Sequence, residues 1–152
     1  MKLWENFFNR KAQEVAPELL GMRLYRKLDD RIIGGIISET EAYLGIDRKD
    51  QKDILASPGK IYVMPFMGHM LLNVSTKDDV PSCVYIREML TRNGIYGPGK
   101  MTKKLKIDKS LDGKSISGQD MWIEPIGDYY QLQPSEITLP SACTGRYILK
   151  SI

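Results

Sequence analysis

The chain has 152 residues and a mass of 17.3 kDa, with 22 Lys and Arg against 19 Asp and Glu, for a formal charge of +3. At this length it reads as one domain, and with 42% hydrophobic and 27% charged residues it can bury a core, which excludes disorder and collagen-like repeats. No apolar run approaches the roughly 18 to 20 residues of a spanning helix, and the first ten residues lack the apolar stretch of a secretory leader, so an intracellular, membrane-free protein is expected.

Changes of hydrophobic period along the chain predict an α+β domain in which strands outnumber helices. Arg10 to Leu20 reads as a short helix with Asn9 as N-cap, Gly21 as its stop and Pro17 at a kink point. Met22 to Leu28 and Arg31 to Tyr43 flank Asp29-Asp30, the pattern of two antiparallel strands joined by a tight turn. Gly34-Gly35 marks a bulge or a close backbone approach. Further strands are predicted at Lys60 to Met64, Leu71 to Ser75 and Cys83 to Leu90. The link from Met64 to Leu71 holds Pro65 and Gly68 and reads as a hairpin tip that exposes Phe66 and Met67. Asn93 to Gly99 reads as a loop leading into a helix of about Lys100 to Lys106, an arrangement suited to holding an anion. Its spacing misses the Walker template, which disfavours a nucleotide triphosphatase. Short strands near Met121 to Glu124 and Arg146 to Leu149 complete the prediction.

Charge is unevenly laid out. Thr91 to Lys114 holds seven basic and two acidic residues, so this stretch carries +5 and the remainder −2. Such a patch suits a polyanion's phosphates, or serves only as a solvated face. Cys83 and Cys143 read as buried free thiols. With His69 the one histidine, they do not supply a zinc ligand set, and no metal or cofactor is expected.

The residues best suited to chemistry lie in Ser38-Glu39-Thr40-Glu41-Ala42-Tyr43, at the end of a mostly apolar strand. Alternation places Ile33, Ile37, Glu39, Glu41 and Tyr43 on one face unless a bulge flips the register, and places Cys83, Tyr85 and Arg87 together on another strand. A buried carboxylate needs a partner, and Arg87 is the candidate counter-ion. The pair suits activation of a water beside a cationic transition state, and equally suits an ordinary half-buried salt bridge.

In order and approximate spacing, Phe7-Phe8, Pro17-Glu18-Leu19-Leu20-Gly21, Ile36 to Gly45, Gly59-Lys60-Ile61-Tyr62-Val63, Asn73-Val74-Ser75, Cys83 to Arg87 and Gly97 to Met101 resemble the alkyladenine (3-methyladenine) DNA glycosylase family. The resemblance implies a single mixed domain with a curved antiparallel sheet, similar to the carboxy-terminal domain of formyltransferases. It implies excision of damaged purines from duplex DNA by hydrolysis of the N-glycosidic bond, without a metal; the sequence itself gives no reason to expect an oligomer, and a monomer is expected. By the same resemblance Glu41 is the general base, Arg87 positions the phosphate and water, Tyr43 stacks on the extruded base, and Asn73 shapes the pocket floor. Met67 takes the place of the side chain that fills the gap in the duplex, with Phe66 and His69 beside it. Lys100, Lys103 and Lys104, behind a helix amino terminus, take the phosphate-positioning role.

The chain departs from that family at several points. The segment Ile46 to Leu55 is short, and Lys52 falls where the family has a pocket histidine. Met64 replaces a second pocket aromatic, Met67 replaces the intercalating tyrosine, and one residue is missing before Asn73. Near the carboxy terminus, Gly145-Arg146-Tyr147-Ile148 carries the resemblance. A nucleic-acid-binding module without turnover and a formyltransferase-like accessory domain are the alternatives.

Overall fold

The computed structural model describes residues 2–46, 52–125, 130–134 and 143–151. A 3-10 turn at Glu5–Phe8 and helix α1 (Ala12–Leu19) precede the first hairpin, β1 (Arg23–Leu28) and β2 (Arg31–Leu44). After α2 (Lys52–Ala56) come β3 (Ile61–Phe66), β4 (His69–Ser75), β5 (Ser82–Thr91), β6 (Gly94–Tyr96) and α3 (Pro98–Lys104). A 3-10 turn at Lys109–Leu111 leads to β7 (Met121–Glu124), β8 (Tyr130–Pro134) and β9 (Cys143–Ser151). The strands form one antiparallel sheet in the order β3-β4-β5-β2-β1-β7, with β6 beside β5 and β8 beside β9. β1 pairs with the first half of β2, and β9 takes its place along Glu39 to Tyr43. The α+β expectation with few helices holds. Among the described residues no helix is long and apolar enough to cross a membrane.

Several expected boundaries shift for identifiable reasons. Asn9 ends the first 3-10 turn and does not cap α1; the N-cap is Lys11, and the Ala12 N–H donates instead to Asp78 Oδ2 at 3.0 Å. Gly94 to Tyr96, read as part of a loop, is a strand paired with Met89 to Thr91. α3 therefore starts earlier than expected, with Gly97 as N-cap and Pro98 at its first position. Lys103 and Lys104 consequently lie in the last turn of α3, not behind its amino terminus. Gly34-Gly35 is a close approach: a Cβ on Gly35 would stand 2.9 Å from the Leu90 carbonyl oxygen.

The bulge lies further along, and it decides the site. Register passes from Ile37↔Met89 to Glu39↔Glu88 and then to Thr40↔Ile86, so Ser38 on β2 and Arg87 on β5 are both extra residues. Before the bulge the odd-numbered Ile37 belongs to the main core; after it, the even-numbered Ala42 does. Ile37 therefore does not share a face with Glu39, Glu41 and Tyr43, contrary to simple alternation. Thr40, on the core side, donates to the Ala16 carbonyl at 2.8 Å and docks α1 on the sheet, where Val15, Ala16 and Leu19 are buried.

Buried Arg26 on β1 donates from Nε to the Leu105 carbonyl at 2.8 Å and from Nη2 to that of Lys106, satisfying carbonyls at the carboxy end of α3. Thr102 Oγ1 donates to the Met70 carbonyl, which sets α3 against the β3–β4 hairpin. That hairpin turns on Met67 and Gly68 alone, with φ of +48° and +82°, and leaves Met67 83% exposed and Phe66 exposed, as the sequence predicts.

β3 is an edge strand, which explains how it accommodates Pro65. Its free edge is covered by residues 109–116. Ile61 N–H donates to the Lys114 carbonyl, Val63 N–H to Asp112 Oδ1 at 2.6 Å, and Lys109 Nζ to the Val63 carbonyl at 2.8 Å. Removing the Asp112 carboxylate would leave the N–H of a buried residue without its acceptor. Asp112→Ala is expected to cost about 2 kcal/mol in urea unfolding, at the scale of one buried unsatisfied donor; an unchanged midpoint would show that the edge needs no such cover.

Candidate active site

Because directly opposed residues on neighbouring strands share a face, one register row crosses five strands: Tyr62 on β3, Asn73 on β4, Tyr85 on β5, Glu41 on β2 and Arg146 on β9. Glu41 is 1% exposed. Its carboxylate accepts from Tyr43 Oη at 2.6 Å, Arg87 Nη1 at 3.3 Å, and Arg146 Nε at 3.1 Å and Nη2 at 2.9 Å. The Cys143 thiol donates to the same group at 3.4 Å. All of these are donors, the environment of a carboxylate anion. Glu39 lies 3.4 Å from Arg87 Nε and 3.7 Å from Arg146 Nε. Two carboxylates and two guanidiniums thus balance in one cluster, which is what permits a buried charge.

Burial, opposed by both arginines, holds the Glu39 carboxyl above its ordinary range. Burial and then the bond to Glu41 raise the Tyr43 phenol, so it remains a donor. Burial pushes the Cys83 thiol up to about 12 and raises Cys143 as well, so neither is set up as a nucleophile. Both cysteines are free and buried, as expected.

Above this row opens a cleft of about 480 Å³, lined by Glu41, Tyr43, Met64, Leu71, Tyr85, Arg87 and Arg146, with Phe66, Met67, His69 and Pro98 along the hairpin and α3. A smaller chamber of about 190 Å³ shares Tyr43, Met64, Leu71 and Tyr85 and adds Ile46, Tyr62, Asn73 and Cys83. Asn73 is 2% exposed; its Nδ2 donates to the Leu71 carbonyl and its Oδ1 accepts from Cys83. The volumes suit a planar heterocycle, held between apolar and aromatic walls with a few polar groups.

The structure brings together Glu41, Arg87, Tyr43, Met64, Met67, Phe66 and His69 around one cleft, with Asn73 in the adjoining chamber. Lys52 begins α2, but its side chain lies outside the described residues. Lys100, Lys103 and Lys104 are exposed on α3 and line neither chamber; Lys100 Nζ stands 5.5 Å from the Tyr96 ring centroid. Elsewhere in the basic stretch, Lys109 and Lys114 are engaged with Asp112 and Asp120.

Arg146 and Cys143 were not expected at the site, nor was Tyr85 assigned a place in it. A charge count holds the signal for Arg146. Two inward carboxylates against one arginine leave a negative excess, and a burial-tolerant second cation has to come from another strand.

Residues 6–96 match the model of the family described as Methylpurine-DNA glycosylase (MPG). The chain is 32% identical to a protein of Clostridioides difficile (strain 630), over 83% of this chain and 79% of that one. It is 33% identical to a protein of Bacillus subtilis (strain 168), over 78% of this chain and 74% of that one. A third relative, from Enterococcus faecalis (strain ATCC 700802 / V583), is 33% identical over 82% and 67% respectively. All three bear the name "Putative 3-methyladenine DNA glycosylase". These matches define the class, the DNA glycosylases of DNA repair. The chain belongs to the methylpurine-DNA glycosylase family.

Proposed function

We propose that the chain removes damaged purines from duplex DNA, turning the nucleotide out of the stack and hydrolysing its N-glycosidic bond with a water activated by Glu41. The observation that carries this reading is a carboxylate 1% exposed at the foot of a cleft of about 480 Å³. A base inside a duplex is out of reach, so it must be extruded, at a cost of a few kcal/mol that is least for damaged or mispaired bases.

Oε1 of Glu41 is occupied by both arginines, while Oε2 holds the Tyr43 hydroxyl and the long contact from the Cys143 thiol. The thiol is the weak member, so Oε2 is the oxygen that accepts the proton of an attacking water. As the base departs, the sugar gains oxocarbenium character and the Glu41 anion stabilises it. Arg87, half-buried at the mouth, reaches Glu41 and can orient the nucleotide's phosphate. The Tyr43 ring, tethered through its hydroxyl, offers a face to the base.

Met67 at the hairpin tip is the wedge that enters the vacated position in the duplex, with Phe66 and His69 beside it. The α3 lysines Lys100, Lys103 and Lys104 hold the backbone. The protein acts as a monomer. Met64 and Met67 in place of aromatic surfaces give up part of the roughly 1 to 3 kcal/mol that stacking supplies per base, offset in part by their polarizable sulfur; damage specificity narrows accordingly.

The test is a panel of single-lesion duplexes incubated with the protein, with abasic sites scored by alkaline cleavage. Release of at least one alkylated or deaminated purine is expected. Salt-sensitive duplex binding with no release of any base would favour the module without turnover.

A further inference from the structure

Tyr85 occupies the middle of the register row, opposite Asn73 on one side and Glu41 on the other, and lines both chambers. The residue is 5% exposed, yet among the described residues its hydroxyl has no hydrogen-bond partner. Its neighbours are committed. Glu41 is held by four side chains, the Tyr43 hydroxyl by Glu41, and the Asn73 amide by Leu71 and Cys83. A buried hydroxyl without a partner costs folding free energy, and here only something entering the cavity can recover it.

We propose that the Tyr85 hydroxyl determines base specificity, donating to an acceptor on the rim of the extruded purine and so favouring neutral bases that carry a keto oxygen. This rests on the glycosylase reading above. Burial pushes the phenol up to about 12, so it keeps its proton throughout the neutral range and presents an O–H. A cationic alkylated purine has given a ring lone pair to the alkyl group and spreads positive charge over its rim, which makes it a poorer acceptor. A deaminated purine is neutral and carries a carbonyl oxygen on C6, where adenine has an amino donor. A site built around a donor also discriminates against ligands that leave the donor unpaired.

Tyr85→Phe keeps the ring and removes the donor. The measurement is kcat/KM for hypoxanthine and for 3-methyladenine release from matched duplexes, with the melting temperature of both proteins. The expected result is a fall of about tenfold in the hypoxanthine to 3-methyladenine ratio, the scale of one hydrogen bond, with a melting temperature at or above wild type. An unchanged ratio in a variant that still releases bases overturns this inference alone. A melting temperature several degrees lower overturns it as well, because the hydroxyl would then be holding the fold. If the wild-type protein releases neither of these two bases this inference fails, and if it releases no damaged purine from any duplex the glycosylase reading fails as well.

Discussion

Glu41→Gln is expected to slow single-turnover release of a damaged purine by about 10²- to 10⁴-fold, the range for loss of a positioned base, while affinity for the lesion duplex stays within about tenfold. Glutamine keeps the shape of the side chain and can still accept from the arginines through its carbonyl, but it takes no proton from water and carries no charge to face the sugar. The bland reading of the cluster, a salt bridge that only holds strands together, makes a different forecast. It allows a loss of stability but no selective loss of turnover in the folded variant. Excision at the wild-type rate would remove Glu41 from the mechanism.

Arg146→Met has the second large expected effect, on stability. Its side chain is 18% exposed, and it contacts Glu41 through two nitrogens and Glu39 through one. Breaking a buried pair from one side strands the remaining charge, at about 3 to 5 kcal/mol. Arg87 still offers Glu41 a contact at 3.3 Å, so the lower end, about 3 kcal/mol, is expected. That corresponds to a melting point lower by roughly 8 °C for a chain of this size. Glu39 adds a pH dependence. Its raised carboxyl binds a proton more readily folded than unfolded, so its contribution to stability is present at acid pH and is lost as pH climbs through the raised value. Losing Arg146 removes an opposing charge and steepens that loss, which urea midpoints at pH 5 and 7 would record. A variant as stable as wild type at both values would show that Arg87 alone balances the cluster.

The strands were legible because their cues are local. Asp29-Asp30 between two alternating runs and Gly68 within a short link point to hairpins, and both form. Glu41 and Tyr43 were readable as a pair because alternation after the bulge is regular. The bulge itself was not, since it arises from two extra residues on different strands, Ser38 and Arg87, that only tertiary pairing compares. β6 hid in a glycine-rich loop because three residues are too few to show a period. Arg146 was hidden by distance along the chain: it meets Glu41 across 105 residues, and no local pattern announces such a meeting. Alternation places Tyr85 on the face of Arg87 but gives it no role, since sequence records a hydroxyl and not whether anything satisfies it.

The paired extra residues at Ser38 and Arg87 have a consequence for how this chain tolerates change in length. Excising Ser38 would only remove the bulge, because Ile37 and Glu39 would then lie on opposite faces by plain alternation; excising Thr40, beyond it, would turn Glu41 toward α1 and present Ala42 to the cleft. Turnover that depends on Glu41 would be lost in the second case, although every side chain of the cluster remained in the sequence. β2 can therefore lose its one extra residue without moving the cluster, while the number of residues from Glu39 to Tyr43 decides whether a carboxylate or a methyl group faces the cleft.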